Sequence, residues 1–173
     1  MEFLIKQARD FPARAAAHGL DLNTDPTGRP PRALFITCSD PRVVPALITG
    51  SRPGDLVELR TYGGLIPSHD KAGAAEARTI AHAVEKLEVS DIVVCGHSRC
   101  DVVDAAVGKK YPPSIQTVAG QWHTLTQLDA LSDYPHLIAR VAGRSLRLHA
   151  WFYDVDTGDV FHYTPRANAF LPL

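Results

Sequence analysis

Three residues that bind soft metal ions follow two apolar segments of this chain. Cys38 ends the segment "ALFITC", and His97 and Cys100 follow "DIVVCG" with the spacing H-x-x-C. A helix that starts here can aim both side chains at one point, and its N-terminus favours the thiolate form of Cys100. Two thiolates and one imidazole form a catalytic zinc ligand set, which leaves the fourth tetrahedral position for water or substrate. The pattern therefore predicts a Zn²⁺ site, if the two segments end close together.

A carboxylate and a guanidinium accompany the first cysteine in the stretch "CSDPR". Asp40 lies two residues after Cys38, and Arg42 follows after two more. Asp40 is placed either to fill the fourth zinc position or to accept a hydrogen bond from zinc-bound water. Arg42 is placed to hold that carboxylate through two parallel hydrogen bonds. Each motif alone is weak evidence, whereas the two together, each after a predicted strand, indicate a zinc site more specifically.

The order of the predicted elements brings both motifs to one edge of a sheet. Residues 32–39, 56–60 and 91–96 are short apolar segments bounded by polar or turn-forming residues, which predicts buried strands. Residues 74–88 repeat apolar side chains with helical spacing. This alternation predicts an α/β fold with a central, mostly parallel β-sheet flanked by helices. Ligands of such sheets gather beyond the carboxyl ends of the strands, so both motifs are expected to face the same crevice.

The two ends of the chain are expected to extend this domain. A chain of 173 residues suits one domain, in which residues 1–30 form a helical arm and a turn-rich linker. Residues 111–116 are expected to form a loop before a helix over 120–131. Two alternating segments, about 145–155 and 159–164, flank the turn "DTGD", which predicts a C-terminal antiparallel hairpin.

Composition argues against several other classes of protein. The formal net charge is −1, so nothing favours nucleic acid or an anionic membrane as a partner. The apolar runs are far shorter than the roughly 20 residues that cross a bilayer. The first residues lack a signal-peptide layout, so the cytoplasm is the expected location. Three cysteines without a secretion signal favour metal binding or catalysis over disulfide bonds.

Long stretches of the chain resemble the β-class carbonic anhydrases. The family signature is C-x-D-x-R followed by H-x-x-C, and it is matched by "CSDPRVVPALITGSRPGDLVELR" and "VSDIVVCGHSRC". The resemblance continues through "RLHAWFYDVDTGDVF" and the closing "FLPL", with a gap in the middle of the chain. It implies reversible hydration of CO₂ to bicarbonate and a proton. It also implies a homodimer, or a higher oligomer built from dimers, in which each site borders the partner subunit and the N-terminal helix lies across it.

The resemblance also assigns roles to individual residues around the metal. Zn²⁺ would be held by Cys38, His97 and Cys100, and Asp40 and Arg42 would form the catalytic dyad beside the metal-bound water. In part of the family Asp40 itself binds zinc in a closed form, and its release to Arg42 opens the site.

Five further positions correspond to the family's substrate pocket, and most of them differ from the family pattern. The loop "RNAGN" of the family is "RTYGG" here, which places Gly63 and Gly64 at the pocket. Arg29 replaces a glutamine, Val57 an aromatic residue and His82 a tyrosine. A permanent cation at Arg29 favours an anionic or larger substrate, or over-tight bicarbonate, unless a shifted loop turns it to water. His82 is still able to shuttle protons.

Two alternative functions stay open at this point. A divergent zinc-binding homologue with reduced or no CO₂ hydration would act on another small carbonyl or a carbon–sulfur compound. A zinc-stabilised dimer would instead serve as a binding protein. The CO₂ hydration rate of zinc-replete protein separates carbonic anhydrase activity from both.

Overall fold

A six-stranded sheet forms the centre of the computed structural model, which describes residues 1–20, 22, 30–69, 75–108 and 111–173. The strand order is β2-β1-β3-β4-β5-β6. The strands are β1 (Ala33–Cys38), β2 (Leu56–Thr61), β3 (Asp91–His97), β4 (Arg147–Tyr153), β5 (Val160–Thr164) and β6 (Ala169–Pro172).

Seven helices accompany the sheet in the described part of the chain. They are α1 (Glu2–Arg9), α2 (Phe11–Ala17), α3 (Pro45–Thr49), α4 (Ala75–Glu85), α5 (Asp101–Val107), α6 (Pro113–Ala130) and α7 (Pro135–Ala142). Two short 3₁₀ turns, Tyr62–Gly64 and Leu131–Asp133, follow β2 and α6. None of the helices in the described ranges is both long enough and apolar enough to cross a membrane.

The first four strands of the sheet are parallel, and the last two are antiparallel. β1 pairs with β2 and β3, and β3 pairs with β4, all in parallel. β4, β5 and β6 form antiparallel pairs. The α/β class with a mostly parallel sheet and a C-terminal hairpin is therefore confirmed. β6 was not expected as a strand, because it is short and exposed at its end and contains Pro172, which is tolerated on an edge strand.

Side chains from β1 enter both faces of the sheet, which explains why all six residues of this strand are buried. Leu34 and Ile36 belong to the main apolar cluster, together with Ile80 and Val84 of α4 and Leu137 of α7. Each such side chain contributes about 1.5–3 kcal/mol when it is fully buried. Helix packing on this face therefore fixes the strands, and with them the positions of the strand ends.

The helix boundaries correct one expectation. Residues 111–116 were expected to form a loop, but α6 already begins at Pro113. Proline suits the first position of a helix, because its missing N–H has no partner there in any case. The expected helix over 120–131 is thus the second part of a longer helix. Most of the linker within residues 1–30 lies outside the described residues.

Candidate metal centre

The predicted metal ligands meet at the carboxyl ends of two neighbouring strands. Cys38 is the last residue of β1, His97 is the last residue of β3, and Cys100 directly precedes α5. Their two sulfurs and a ring nitrogen all lie within 4.8 Å of one another. All three residues are buried, with exposed fractions of 7%, 2% and 4%. The parallel pairing of β1 with β3 is what brings together residues about 60 positions apart.

The imidazole of His97 offers one free nitrogen to this cluster. Its Nδ1 lies 2.9 Å from the carbonyl oxygen of Ser98, so Nδ1 carries the hydrogen and donates it. Nε2 is buried and has no hydrogen-bond partner among the residues that the structure describes. Burial lowers the pKa of His97, which favours the neutral ring that a metal requires. An unpaired buried nitrogen is costly, and a metal ion provides the partner that it lacks.

The two thiols complete a donor set that fits Zn²⁺. Zinc binds sulfur at about 2.3 Å and imidazole nitrogen at about 2.0–2.1 Å. Three ligand atoms at these distances from one ion lie about as close to one another as the two sulfurs and the ring nitrogen do here. Burial raises the pKa of the Cys100 thiol, the backbone N–H groups of Val103 and Val102 lower it, and nearby Cys38 raises it further. A bound divalent cation would hold both sulfurs as thiolates.

Asp40 and Arg42 form a bidentate pair beside the ligands. Arg42 donates from Nε to Oδ1 of Asp40 at 3.0 Å and from Nη2 to Oδ2 at 2.6 Å. Its backbone N–H also donates to Oδ1, at 2.9 Å. The side-chain hydrogen bonds from Arg42, against the opposing effect of burial, lower the pKa of Asp40 to about 2. Asp40 is therefore a carboxylate at any physiological pH, and its oxygens have a defined orientation.

A backbone carbonyl holds the guanidinium of this pair from the other side. Nη2 of Arg42 donates to the carbonyl oxygen of Arg99 at 3.1 Å. Arg99 has a φ of 56°, a left-handed conformation that is uncommon for a residue with a side chain. Its own side chain forms an ion pair with Asp156 at 2.7 Å. The turn after β4 thus contacts the segment between the second and third ligands.

Arg60 supports the loop that carries Asp40, and sequence reasoning missed it. Its Nη2 donates to the carbonyl oxygen of Asp40 at 2.7 Å, and its Nε donates to that of Cys38 at 3.3 Å. Its position follows from the strand register, in which Arg60 on β2 lies opposite Thr37 on β1, and this register is not evident from the sequence. Two backbone carbonyls next to the site are thereby held by one side chain.

A small cleft opens beside the ligands. Its volume is about 200 Å³, and residues that line it include both ligand cysteines, Asp40, Tyr62, Asp101 and Val102. A larger cavity of about 510 Å³ is lined by Arg42, Arg99 and several aspartates, and by neither ligand cysteine. The small cleft is the space from which a molecule reaches the metal ligands.

The five predicted pocket residues lie in different places. Gly63 and Gly64 lie at the cleft: a Cβ atom on Gly63 would be 2.7 Å from Val102, and one on Gly64 would be 3.4 Å from the backbone nitrogen of Cys38. Val57 packs against the main apolar cluster. His82 is exposed on α4, in a shallow depression away from the cleft. Arg29 lies outside the described residues. Substrate binding by these five residues stays a prediction.

The family model for carbonic anhydrase matches residues 33–125, more than half of the chain. The chain belongs to the β-carbonic anhydrase family. The match includes all three metal-ligand candidates and the pair of Asp40 with Arg42. Members of this family are lyases. The family resemblance and fold that the sequence predicted are thereby confirmed.

Individual relatives agree with this assignment. The carbonic anhydrase of Pseudomonas aeruginosa is 30% identical, and the match covers 99% of this chain and 89% of the relative. The carbonic anhydrase of Synechocystis sp. is 33% identical over 79% of this chain. The match spans only 61% of the length of the Synechocystis relative.

Solved structures match the whole fold. The β-carbonic anhydrase CcaA superposes with a TM-score of 0.89 at 30% identity and covers 100% of this chain and 92% of its own. The Coccomyxa β-carbonic anhydrase in complex with acetazolamide gives a TM-score of 0.79 at 20% identity, covering 97% and 90%. The second match supports the fold alone.

Proposed function

We propose that this chain is a zinc-dependent carbonic anhydrase that hydrates CO₂ reversibly to bicarbonate and a proton. The observation that carries the proposal is the buried group of Cys38, His97 and Cys100, in which Nε2 of His97 has no other partner within the described part of the chain. Membership of the β-carbonic anhydrase family supports the same activity. The size of the cleft, about 200 Å³, suits a substrate as small as CO₂.

The residues of the chain divide the chemistry between them. Cys38, His97 and Cys100 would hold Zn²⁺, which supplies the Lewis acidity that makes water nucleophilic near neutral pH. Asp40 is ionised because its pKa is about 2, so it can accept a hydrogen bond from the attacking water. This hydrogen bond orients the water so that a lone pair of its oxygen points toward CO₂. Arg42 fixes the carboxylate of Asp40 through two hydrogen bonds.

The walls of the cleft favour an uncharged substrate. Val102 lines the cleft and packs, with Val103, against the two ligand cysteines. Apolar side chains beside the ligands suit CO₂, which carries no charge. Asp101, at the same cleft, carries a negative charge that disfavours retention of bicarbonate after it forms.

The assembly we propose is a homodimer or a larger oligomer of dimers in the cytoplasm. Helix α1 has no buried residue, and its Phe3, Leu4 and Ile5 are all more than half exposed. Such a helix suits packing across a second subunit. Two β-carbonic anhydrases of Sordaria macrospora are tetrameric. Sedimentation of the purified chain would test this part of the proposal.

Stopped-flow CO₂ hydration with a pH indicator, on protein of known zinc content, tests the activity. We expect hydration far above the buffer rate, and its loss together with zinc in Cys38→Ala. Cys95→Ala is the matched control, because Cys95 is equally buried but lies within β3, and its thiol has a pKa raised by burial to about 12. Zinc-replete protein that hydrates CO₂ no faster than buffer would contradict the proposal and favour a different small carbonyl or carbon–sulfur substrate.

A further inference from the structure

The segment after β2, residues 62–66, borders the cleft through its first residue and is called the glycine loop below. Tyr62 lines the cleft directly. Gly63 and Gly64 have φ values of 72° and 67°, which residues with a Cβ atom rarely adopt. Gly63 packs on Val102, and Gly64 packs on the backbone of Cys38. A small displacement of the glycine loop therefore changes the shape of the cleft at the metal ligands.

Two side chains of α6 bind the glycine loop at separate points. Nε2 of His123 donates a hydrogen bond to the carbonyl oxygen of Gly63 at 2.8 Å. Oε1 of Gln127 accepts one from the backbone N–H of Ile66 at 2.9 Å. His123 and Gln127 are four residues apart, so they lie on the same face of α6. Gln127 is buried, and its hydrogen bond is therefore protected from water.

Helix α6 is itself fixed to the strand that carries a metal ligand. A Cβ atom on Gly96, the residue before His97, would overlap the hydroxyl of Thr124 on α6. A Cβ atom on Gly120 would lie 2.8 Å from Phe152 of β4. These close contacts leave α6 little freedom to move over β3 and β4. The helix therefore holds the glycine loop in a defined position relative to His97.

We propose that His123 and Gln127 are positioning residues, which hold the glycine loop at the border of the cleft and thereby set how substrate reaches the metal ligands. Loss of either hydrogen bond is expected to loosen the glycine loop. Zinc binding is expected to stay intact, because neither residue is a candidate ligand. The kinetic part of this inference rests on the proposed CO₂ hydration. The structural part, the position of the loop, does not depend on it.

Four substitutions and one control test the inference on zinc-loaded full-length protein. His123→Phe keeps a ring without the donor, and His123→Gln restores an N–H at a similar position. Gln127→Leu removes the acceptor, and Gln127→Glu keeps it. Thr126→Ala is the matched control, because Thr126 is exposed on the same helix and its hydroxyl donates a hydrogen bond within α6, to the carbonyl oxygen of Trp122.

The first measurement is amide hydrogen exchange over residues 61–67, followed by mass spectrometry. A hydrogen bond contributes about 1 kcal/mol, so we expect His123→Phe and Gln127→Leu to speed exchange of the loop roughly fivefold. Exchange in β1 and β3 is expected to be unchanged. His123→Gln and Gln127→Glu should stay close to the parent rate, as should Thr126→Ala.

The second measurement is steady-state CO₂ hydration with zinc content determined on the same samples. We expect His123→Phe and Gln127→Leu to raise KM several-fold at full zinc content, with KM restored in His123→Gln. The inference would be overturned if loop exchange were unchanged in both His123→Phe and Gln127→Leu. It would also be overturned if these variants lost zinc to the same extent as their loop exchange increased. If the parent protein does not hydrate CO₂, the proposed function fails, while the exchange experiment still decides whether α6 positions the loop.

Discussion

Two aspartate–arginine pairs of nearly the same geometry lie at opposite ends of the parallel strands. Asp40, just beyond the carboxyl end of β1, receives hydrogen bonds from Nε and Nη2 of Arg42 at 3.0 and 2.6 Å. Asp91, at the start of β3, receives the same two from Arg147 at 2.7 and 2.7 Å. Both aspartates have a pKa lowered to about 2. Neither the geometry nor the pKa distinguishes the two pairs.

Their surroundings do distinguish them. Burial raises the pKa of Asp91, but hydrogen bonds from Arg147, Ser90 and His149 outweigh it. The contacts with Arg147 and His149 join β3 to β4. Among the residues that the structure describes, the group of three possible metal ligands lies at the other end, beside Asp40. A depressed carboxyl pKa is thus compatible with a purely structural pair. The neighbouring group of possible metal ligands is what makes the pair of Asp40 and Arg42 the candidate for a functional role.

The largest expected effect comes from removing one ligand at the carboxyl end. We expect His97→Ala to reduce zinc affinity by more than about 100-fold, because even the outer partners of metal ligands typically contribute 10–100-fold. CO₂ hydration should fall with it. Arg147→Ala, which breaks the pair at the amino end, should keep both properties. Metal analysis and stopped-flow hydration on the two variants make the comparison, and retention of stoichiometric zinc by His97→Ala would refute the proposed ligand set.

A smaller effect is expected from neutralising each aspartate. Asp40→Asn and Asp91→Asn both remove a carboxylate that accepts charged hydrogen bonds from an exposed arginine, so both should lower the free energy of unfolding by about 1 kcal/mol. Only Asp40→Asn should also lower kcat/KM for hydration, by roughly 100-fold, because it directs the attacking water. Urea unfolding and stopped-flow hydration measure the two effects.

The values of kcat/KM for the two variants can contradict the comparison between the pairs. If Asp91→Asn lowers kcat/KM as much as Asp40→Asn at equal zinc content, the division into a functional and a structural pair is wrong. If neither variant changes kcat/KM, Asp40 does not direct the attacking water.

The sequence could predict those parts of the site that local sequence patterns indicate. Cys38, His97 and Cys100 follow apolar strands, and residues at the carboxyl ends of neighbouring parallel strands must lie close together. The pairing of Asp40 with Arg42 spans two residues, so the spacing alone suggests it. The structure agrees with the sequence on the meeting of the ligands, and family membership supports their role.

The parts that sequence could not predict depend on contacts between distant segments. Arg42 reaches the carbonyl of a residue 57 positions away, and His123 reaches Gly63 across 60 positions. Backbone carbonyls are present at every residue, so no composition signal identifies which one is used. The early start of α6 and the strand β6 were missed for a related reason, since proline and a short exposed segment are ambiguous until packing is known.

The smallest expected effect is the dependence of the Asp91 pair on acid. The pKa of Asp91 is 3.8 in the absence of the fold and about 2 within it, so the unfolded chain binds the proton more tightly. Because the Arg147 side chain is 68% exposed, solvent screens the pair, and its contribution to stability is about 1 kcal/mol. This contribution is complete above about pH 5 and is lost as the pH falls toward about 2. The difference in unfolding free energy between the parent and Asp91→Asn should shrink over this interval. Urea unfolding at several pH values measures it. Exposed Asp133→Asn serves as the control, and a difference that stays constant down to pH 2.5 would show that the pair does not hold the Asp91 carboxylate in its charged form.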